Sequence, residues 1–389
     1  MPKKKILFIT NRNIINTCGE LRLIKNRAEN LYHHYGFATD FIAFTNKNSV
    51  RPELILAGGT TEAIKYSKKN LVSFFQGKIK LEHEVSKRIS TGEYGIVIIS
   101  GPEVLPLVRR IKQETPDIIT IADCHGATEE LIEFDFQNPI KTLFRHTLYR
   151  TWKIKERNNY RYFDHVLAVS ESLKRYLVDN YSLNGDKIHT VPCATDGSIP
   201  SFEVLRKQRN ESRRKYSIKD DEILFVYSGG TSKWQCIEET VDLFKRIKIS
   251  LANAKLLLLS GDKEYISKFL GEDVIIDSLE ADEVKRTLPA ADYTFLLRDN
   301  YITNNVAFPN KFLEYVESGA KIIATPYVED IALYIESNNI GYVLKNLSYE
   351  DGIVEYIRNM KEYGEDYDKR ESLLQELSFK NRLKFFEEL

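Results

Sequence analysis

Asn305-Val306-Ala307-Phe308-Pro309-Asn310-Lys311-Phe312-Leu313-Glu314-Tyr315, followed by Gly319-Ala320-Lys321-Ile322-Ile323-Ala324-Thr325, reads as a helix that stops at a glycine and runs into a buried strand. Pro309 suits the first turn of the helix. The strand Lys321 to Thr325 is a short continuous apolar run of the kind covered on both faces by helices. Immediately upstream, Tyr293 to Leu297 is another such strand and ends in Arg298-Asp299-Asn300. A helix N-terminus beside a strand end presents free amides and the positive end of a dipole, a place for a diphosphate. Lys311 and Arg298 add full charges there. Glu314 is placed to accept hydrogen bonds from two ribose hydroxyls. The plainer reading of the same residues is a surface helix with salt-bridged charges.

Working outward, the same alternation of strand and helix fills the chain. Lys5 to Thr10, Phe37 to Phe44, Ile96 to Ser100, Ile118 to Ala122 and Val166 to Ser170 read as strands. Helices are expected at about Glu20 to Tyr35, Glu103 to Glu114 and Glu171 to Asn180. After about residue 220 the rhythm restarts, with strands at Glu222 to Tyr227, Lys255 to Ser260 and Val274 to Ile276 and a helix at Ile237 to Ile249. This pattern predicts an α/β protein of two Rossmann-like domains facing across a cleft. The expected limits are 1–197, 198–366 and a C-terminal helix over 367–389 that packs back on the first domain. Pro192 to Asn210 reads as a linker. The 389 residues fit two domains of ordinary size.

Ligands of parallel sheets sit at the carboxyl ends of strands, which selects further candidates. Gly19 and Glu20 open a helix after the loop Asn16-Thr17-Cys18, on what becomes the acceptor side; the alternative is a plain strand-to-helix turn. No GxGxxG motif is present, which disfavours a dinucleotide site. His125, in Asp123-Cys124-His125-Gly126, ends a strand where it can bond a sugar hydroxyl, bond a phosphate or carry a proton; the plainer reading has it satisfying local backbone, with Asp123 structural. In Ser228-Gly229-Gly230-Thr231-Ser232-Lys233, two glycines expose amides to an anion and Lys233 adds charge, unless the segment is only a tight turn. The donor-binding set is completed by Asn305 and Val306, whose amides lead into the Pro309 helix.

Bulk properties narrow the function. Acidic and basic residues number 56 each, which argues against a dedicated nucleic-acid binder. The four cysteines are far apart and lack zinc spacing; they are expected to be reduced, as in a cytoplasm. The apolar part of the N-terminal segment is too short for a signal peptide, and no run reaches the ~20 residues of a membrane span. The stretch Lys141 to Arg161 interleaves basic and aromatic residues, a peripheral membrane contact or a solvated helix face.

Taken together, Pro309-x-Lys311-x-x-Glu314-Tyr315-x-x-x-Gly319 with Ile322-Ile323-Ala324-Thr325, the glycine loop Tyr227 to Gln235, Asp123-x-His125-Gly126, Ala168-Val169-Ser170 and Val191-Pro192 to Asp196 resemble the retaining, nucleotide-sugar-dependent glycosyltransferases of the GT-B fold, family 4, of the bacterial surface-polysaccharide type. The likeness is firm in the second half and looser in the first. It implies a glycosyltransferase acting on a glycan, lipid-linked or other acceptor, with retention of anomeric configuration, no metal and no cofactor beyond the donor substrate. It further implies that Glu314 holds the ribose, Lys233 the diphosphate, and that His125 faces the donor sugar. Two positions depart from the pattern: the first glutamate of the family's E-x7-E pair falls at Val306, and its glycine-loop arginine falls at Gly230, a charge that Arg298 is placed to replace. These departures leave two other readings: a catalytically impaired binding subunit, and a nucleotide-sugar epimerase of the same shape.

Overall fold

The computed structural model describes residues 5–13, 19–45, 58–65, 71–134, 139–359 and 363–389. The loop Asn16 to Cys18 lies outside them. The chain divides into two compact units, 1–192 with 379–389, and 193–378.

In the first unit, seven strands form one parallel sheet: β1 (Lys5–Asn13), β2 (Thr39–Thr45), β3 (Thr61–Lys65), β4 (Tyr94–Ser100), β5 (Ile119–Cys124), β6 (His165–Ala168) and β7 (Ile188–Thr190). Their order is β3-β2-β1-β4-β5-β6-β7. Ile6 to Ile9 of β1 are wholly buried, because a central parallel strand is covered on both faces. In the second unit, β8 (Ile223–Ser228), β9 (Ala254–Leu259), β10 (Val274–Asp277), β11 (Tyr293–Leu296), β12 (Lys321–Ala324) and β13 (Gly341–Val343) run β10-β9-β8-β11-β12-β13, again all parallel. Relative to the first strand of the unit, that is the Rossmann order. The Ile237–Ser250 helix buries Ile237, Val241, Phe244 and Ile247, one face at helical spacing, and Phe244 meets Phe225 of β8 edge-on.

Each sheet therefore reverses direction at one point, between β1 and β4 and between β8 and β11. Crevices at the carboxyl ends of those strands are the places where such folds hold ligands.

Three sequence expectations are corrected here. The segment read as a linker contains the Phe202–Lys215 helix, capped by Ser201, whose hydroxyl accepts the Val204 amide. Its buried face carries Ser212 and Arg213 beside Leu205, so apolar periodicity could not reveal it. The tail expected as one helix is broken: Tyr367–Glu376 ends at Leu377, and Phe379–Arg382 and Lys384–Glu387 are separate short turns. The helix expected from Glu103 begins only at Leu107, after Pro106. Among the described residues no helix is long and apolar enough to cross a membrane.

Candidate active site

The second unit brings four sequence candidates to its switch point: Gly229, Gly230, Lys311 and Arg298. Gly229 follows β8 with φ +143°, and a side chain there would collide with the Lys311 ammonium, so only glycine admits this approach. Lys311, in the first turn of the Asn310–Ser318 helix, bonds Gln235 Oε1 and lies 3.3 Å from the Tyr227 hydroxyl, with its ammonium 4.4 Å from the centre of the Tyr227 ring. Tyr227 donates at 2.5 Å to the Gly230 carbonyl. A side chain on Gly230 would press on the Gln235 amide. Arg298, just beyond β11, is 5% exposed. Its guanidinium donates to its neighbour's carbonyl, Leu297 O, at 2.7 Å. Thr325, at the end of β12, accepts the Arg298 amide at 2.9 Å and donates to the Arg298 carbonyl at 2.7 Å, stapling the two strand ends.

The charges here do not balance locally. Among the described residues no carboxylate lies within ion-pair distance of Arg298 or Lys311. Burial pushes the Lys311 pKa well below its ordinary value, and Arg298 nearby lowers it further, against a partial pull from Glu314. Burial also lowers that of Arg298, with Tyr227, Cys236 and Tyr315 opposing. Buried charges are normally paired, and these two are not paired with a carboxylate among the described residues.

The helix that carries Lys311 is held at both ends. Tyr315 accepts the Ser228 amide at 3.1 Å. At the carboxyl end, the fully buried Arg370 donates to the carbonyls of Tyr315, Val316 and Ala320 and pairs with Asp366 at 2.8 Å, a cation at the negative end of the helix. Glu314 lies half-buried one turn after Lys311. Lys233 is exposed on the turn after the glycine loop. Asn305 ends the short Ile302–Asn305 helix and bonds Asn300 at 3.1 Å; Val306 is buried beside it. The amides expected to face an anion after Asn305 are taken: Val306 donates to Ile302 and Ala307 to Asn304. The amides of Asn310 and Lys311 are the first two of the next helix, where no intrahelical acceptor is available.

The first unit gathers a different set at the ends of β1, β4 and β5. His125 Nε2 lies 2.8 Å from Asp123 and its Nδ1 3.5 Å from Glu20. Glu20 also pairs with Arg12 and accepts from Ser100 at 3.2 Å. Gly19 starts the helix that positions Glu20. Gly101 has φ +102°, and the Asn11 amide occupies the space a side chain would need. Asp123 has the structural place expected of it, as the buried partner of Arg27, which also bonds the Val191 carbonyl. Burial pushes the Asp123 pKa up, and Arg27 and His125 reverse that and hold it at about 2. Arg27 went unnoticed in the sequence. Its signal was present: Leu23, Ile24, Arg27, Ala28 and Leu31 form one buried helical stripe with a charge in its middle.

The basic stretch after Lys141 is also less uniform than its sequence suggests. Along the Pro139–Asn159 helix, Lys153 turns inward and pairs with Glu129 at 3.0 Å, its ammonium within 6.0 Å of the rings of Tyr149, Tyr176 and Tyr181. Arg145 caps the carbonyls of Leu131 and Glu130. The exposed face retains Lys141, Arg150 and Arg157 with Ile140, Leu143, Phe144 and Ile154.

Residues 73–198 match the model described as Glycosyltransferase Family 4. No curated protein matches the chain. Among solved structures, the apo form of the lipopolysaccharide outer core galactosyltransferase WaaB superposes with a TM-score of 0.68 at 13% identity, covering 99% of this chain and 100% of that one. Sucrose-phosphate synthase from Thermosynechococcus elongatus gives 0.70 at 13% identity, covering 99% and 98%. HepE of Anabaena, in complex with UDP and glucose, gives 0.67 at 12% identity over the whole of both chains. The family match falls in the first half, although the motifs quoted above were densest in the second. The chain thus has the GT-B fold, and its residues 73–198 carry the family 4 glycosyltransferase match.

Proposed function

We propose that this protein transfers a sugar from a nucleoside-diphosphate sugar to a glycan or lipid-linked acceptor, with retention of configuration. The observation that carries this reading is the pair of cations, Arg298 and Lys311, without a carboxylate partner among the described residues at the switch point of the second sheet. When the bond from sugar C1 to the leaving diphosphate breaks, negative charge grows on the diphosphate. Prearranged donors in a dry site stabilise that charge most. Arg298, Lys311 and the amides of Asn310 and Lys311 are those donors, and Lys233 on its exposed turn can close over the ligand. This cationic set meets the diphosphate charge without calling on a metal. Glu314 takes the ribose. His125, Gly19 and Glu20 serve the sugar and acceptor side. The fold, the UDP and glucose held by one protein of this shape and the absence of a basic excess together favour this over nucleic-acid binding.

We further propose a cytoplasmic protein that touches the membrane peripherally through the exposed apolar and basic face of the Pro139–Asn159 helix. The donor reading is tested by thermal shift. UDP, GDP, ADP or CMP should raise the melting temperature, and Glu314→Ala should remove the shift of whichever stabilises. No shift with any of the four overturns donor binding.

A further inference from the structure

The first unit contains a cavity of about 270 Å³, apart from the cluster around His125. Small-molecule sites begin at about 300 Å³, so the space suits part of a ligand rather than a whole sugar nucleotide. Phe44, Phe75, Leu81, Val104, Pro106 and Leu107 give it apolar walls. Phe75 is 59% exposed and marks the side that opens to the surface. Lys78 and Lys155 stand at the same cavity. Neither forms an ion pair among the described residues. Arg110 is already committed to Glu114 at 2.6 Å and Glu82 at 3.6 Å. Burial lowers the Lys155 pKa, Glu103 opposes this, and Lys78 adds to it. An apolar space with two ammonium groups that form no ion pair among the described residues, one of them within the field of Glu103 in the same wall, matches a chain of methylenes ending in an anion, and does not match a neutral glycan.

Its position ties it to the proposed reaction. Ser100, at the end of β4, donates to Glu20. The chain then turns at once, with the Val104 amide bonded to the Gly101 carbonyl at 3.1 Å. Glu103 and Val104, the next residues, are cavity wall. This stretch of the cavity wall is thus one tight turn along the chain from the residue that bonds Glu20.

We propose that this cavity receives the apolar chain of an amphiphilic acceptor whose anionic head is held by Lys78 and Lys155. The inference rests on the glycosyl-transfer reading and narrows its acceptor to a lipid-linked phosphate or similar amphiphile.

The probes are n-octyl phosphate and n-decyl phosphate, below their micelle concentrations, titrated calorimetrically into the full chain. Decyl phosphate should bind, and octyl phosphate should bind up to about 15-fold more weakly, from ~0.8 kcal/mol for each of two buried methylenes. Inorganic phosphate should not displace either. Lys78→Glu with Lys155→Glu should weaken decyl phosphate at least 10-fold and leave decanol nearly unchanged. Pro106→Trp, which fills the cavity from its half-exposed rim, should weaken both, with the far-ultraviolet spectrum unchanged. Equal affinity for the two chain lengths, or no effect of either variant, overturns the inference. Association with phosphatidylglycerol vesicles without uptake of soluble decyl phosphate also overturns it, in favour of plain bilayer docking. Nucleotide binding is read separately by thermal shift. A chain that is stabilised by a nucleotide but binds no alkyl phosphate keeps the transfer reading and loses this one. One that binds alkyl phosphate but is shifted by no nucleotide loses donor binding and keeps the cavity.

Discussion

The ends of β1 and β4 and the ends of β8 and β11 are the same place in two sheets wound in the same order, yet they carry charge in opposite ways. In the first unit each charge has a partner: Arg27 with Asp123, Asp123 with His125, Arg12 with Glu20. In the second, Arg298 and Lys311 lie close to each other with tyrosine hydroxyls, carbonyls and an amide around them. The fold therefore does not dictate the electrostatics of its crevice. One crevice neutralises itself and supports the fold. The other keeps two cations that no carboxylate pairs with among the described residues, the charge that the proposed diphosphate would meet.

The sharpest way to break this contrast is to delete one cation. Arg27→Met should destabilise the protein by about 3–5 kcal/mol, because it leaves Asp123 buried and unpaired. Urea denaturation followed by circular dichroism measures it, with the midpoint read for the transition that includes the first unit. A loss below about 1 kcal/mol would mean that the Arg27 and Asp123 pair is not the internal neutralisation described here.

Acid should act on the same pair with a smaller effect. The folded pKa of Asp123, at about 2, lies below the ordinary 3.8. The unfolded chain therefore takes up the proton first as pH falls. The stabilisation is fully present above about pH 4 and is lost as pH drops towards 2, by an amount on the order of 2 kcal/mol. Asp123→Asn should remove this dependence, so that the stability gap between variant and wild type narrows from pH 5 to pH 3. A gap that stays constant over that interval would place the acid sensitivity elsewhere.

These residues also show what a sequence can disclose. The Asn310–Ser318 helix was legible because Pro309, the apolar spacing and Gly319 are local signals that packing did not override. His125 and the Gly229 loop were legible because they follow apolar runs that had to be strands, and strand ends are where parallel sheets bind. The burial of Arg27 could be read from its helical stripe, but its pairing was hidden because Asp123 stands 96 residues away. Arg370 was hidden for the same reason: it looks like one charge among many in a polar tail, and only the folded chain sets it against the carbonyls of Tyr315 and Val316. Lys153 misled in the other direction, since alternating bases and aromatics give no sign of which lysine turns inward. The amides of Val306 and Ala307 looked available because a short helical turn that consumes them leaves no mark in side-chain pattern.

The smallest expected effect on stability is the most telling for function. Arg298→Met and Lys311→Met each remove a desolvated cation that has no carboxylate to leave stranded. Replacing such a group by a chain of similar volume should cost the free protein less than about 1 kcal/mol or stabilise it slightly. The same substitutions should weaken the stabilising nucleoside diphosphate 10-fold or more, since hydrogen bonds to charged groups contribute about 1.5–3 kcal/mol. The depressed pKa of Lys311 adds a direction. As pH rises towards the usual lysine range, wild type should lose diphosphate affinity earlier than an ordinary lysine would, and Lys311→Met should not show that decline. Denaturation of the free protein beside nucleotide titration at pH 7 and pH 9 reads all three. If Lys311→Met proved as damaging to the free protein as Arg27→Met, the ammonium would be part of the scaffold, and the two crevices would differ in composition alone.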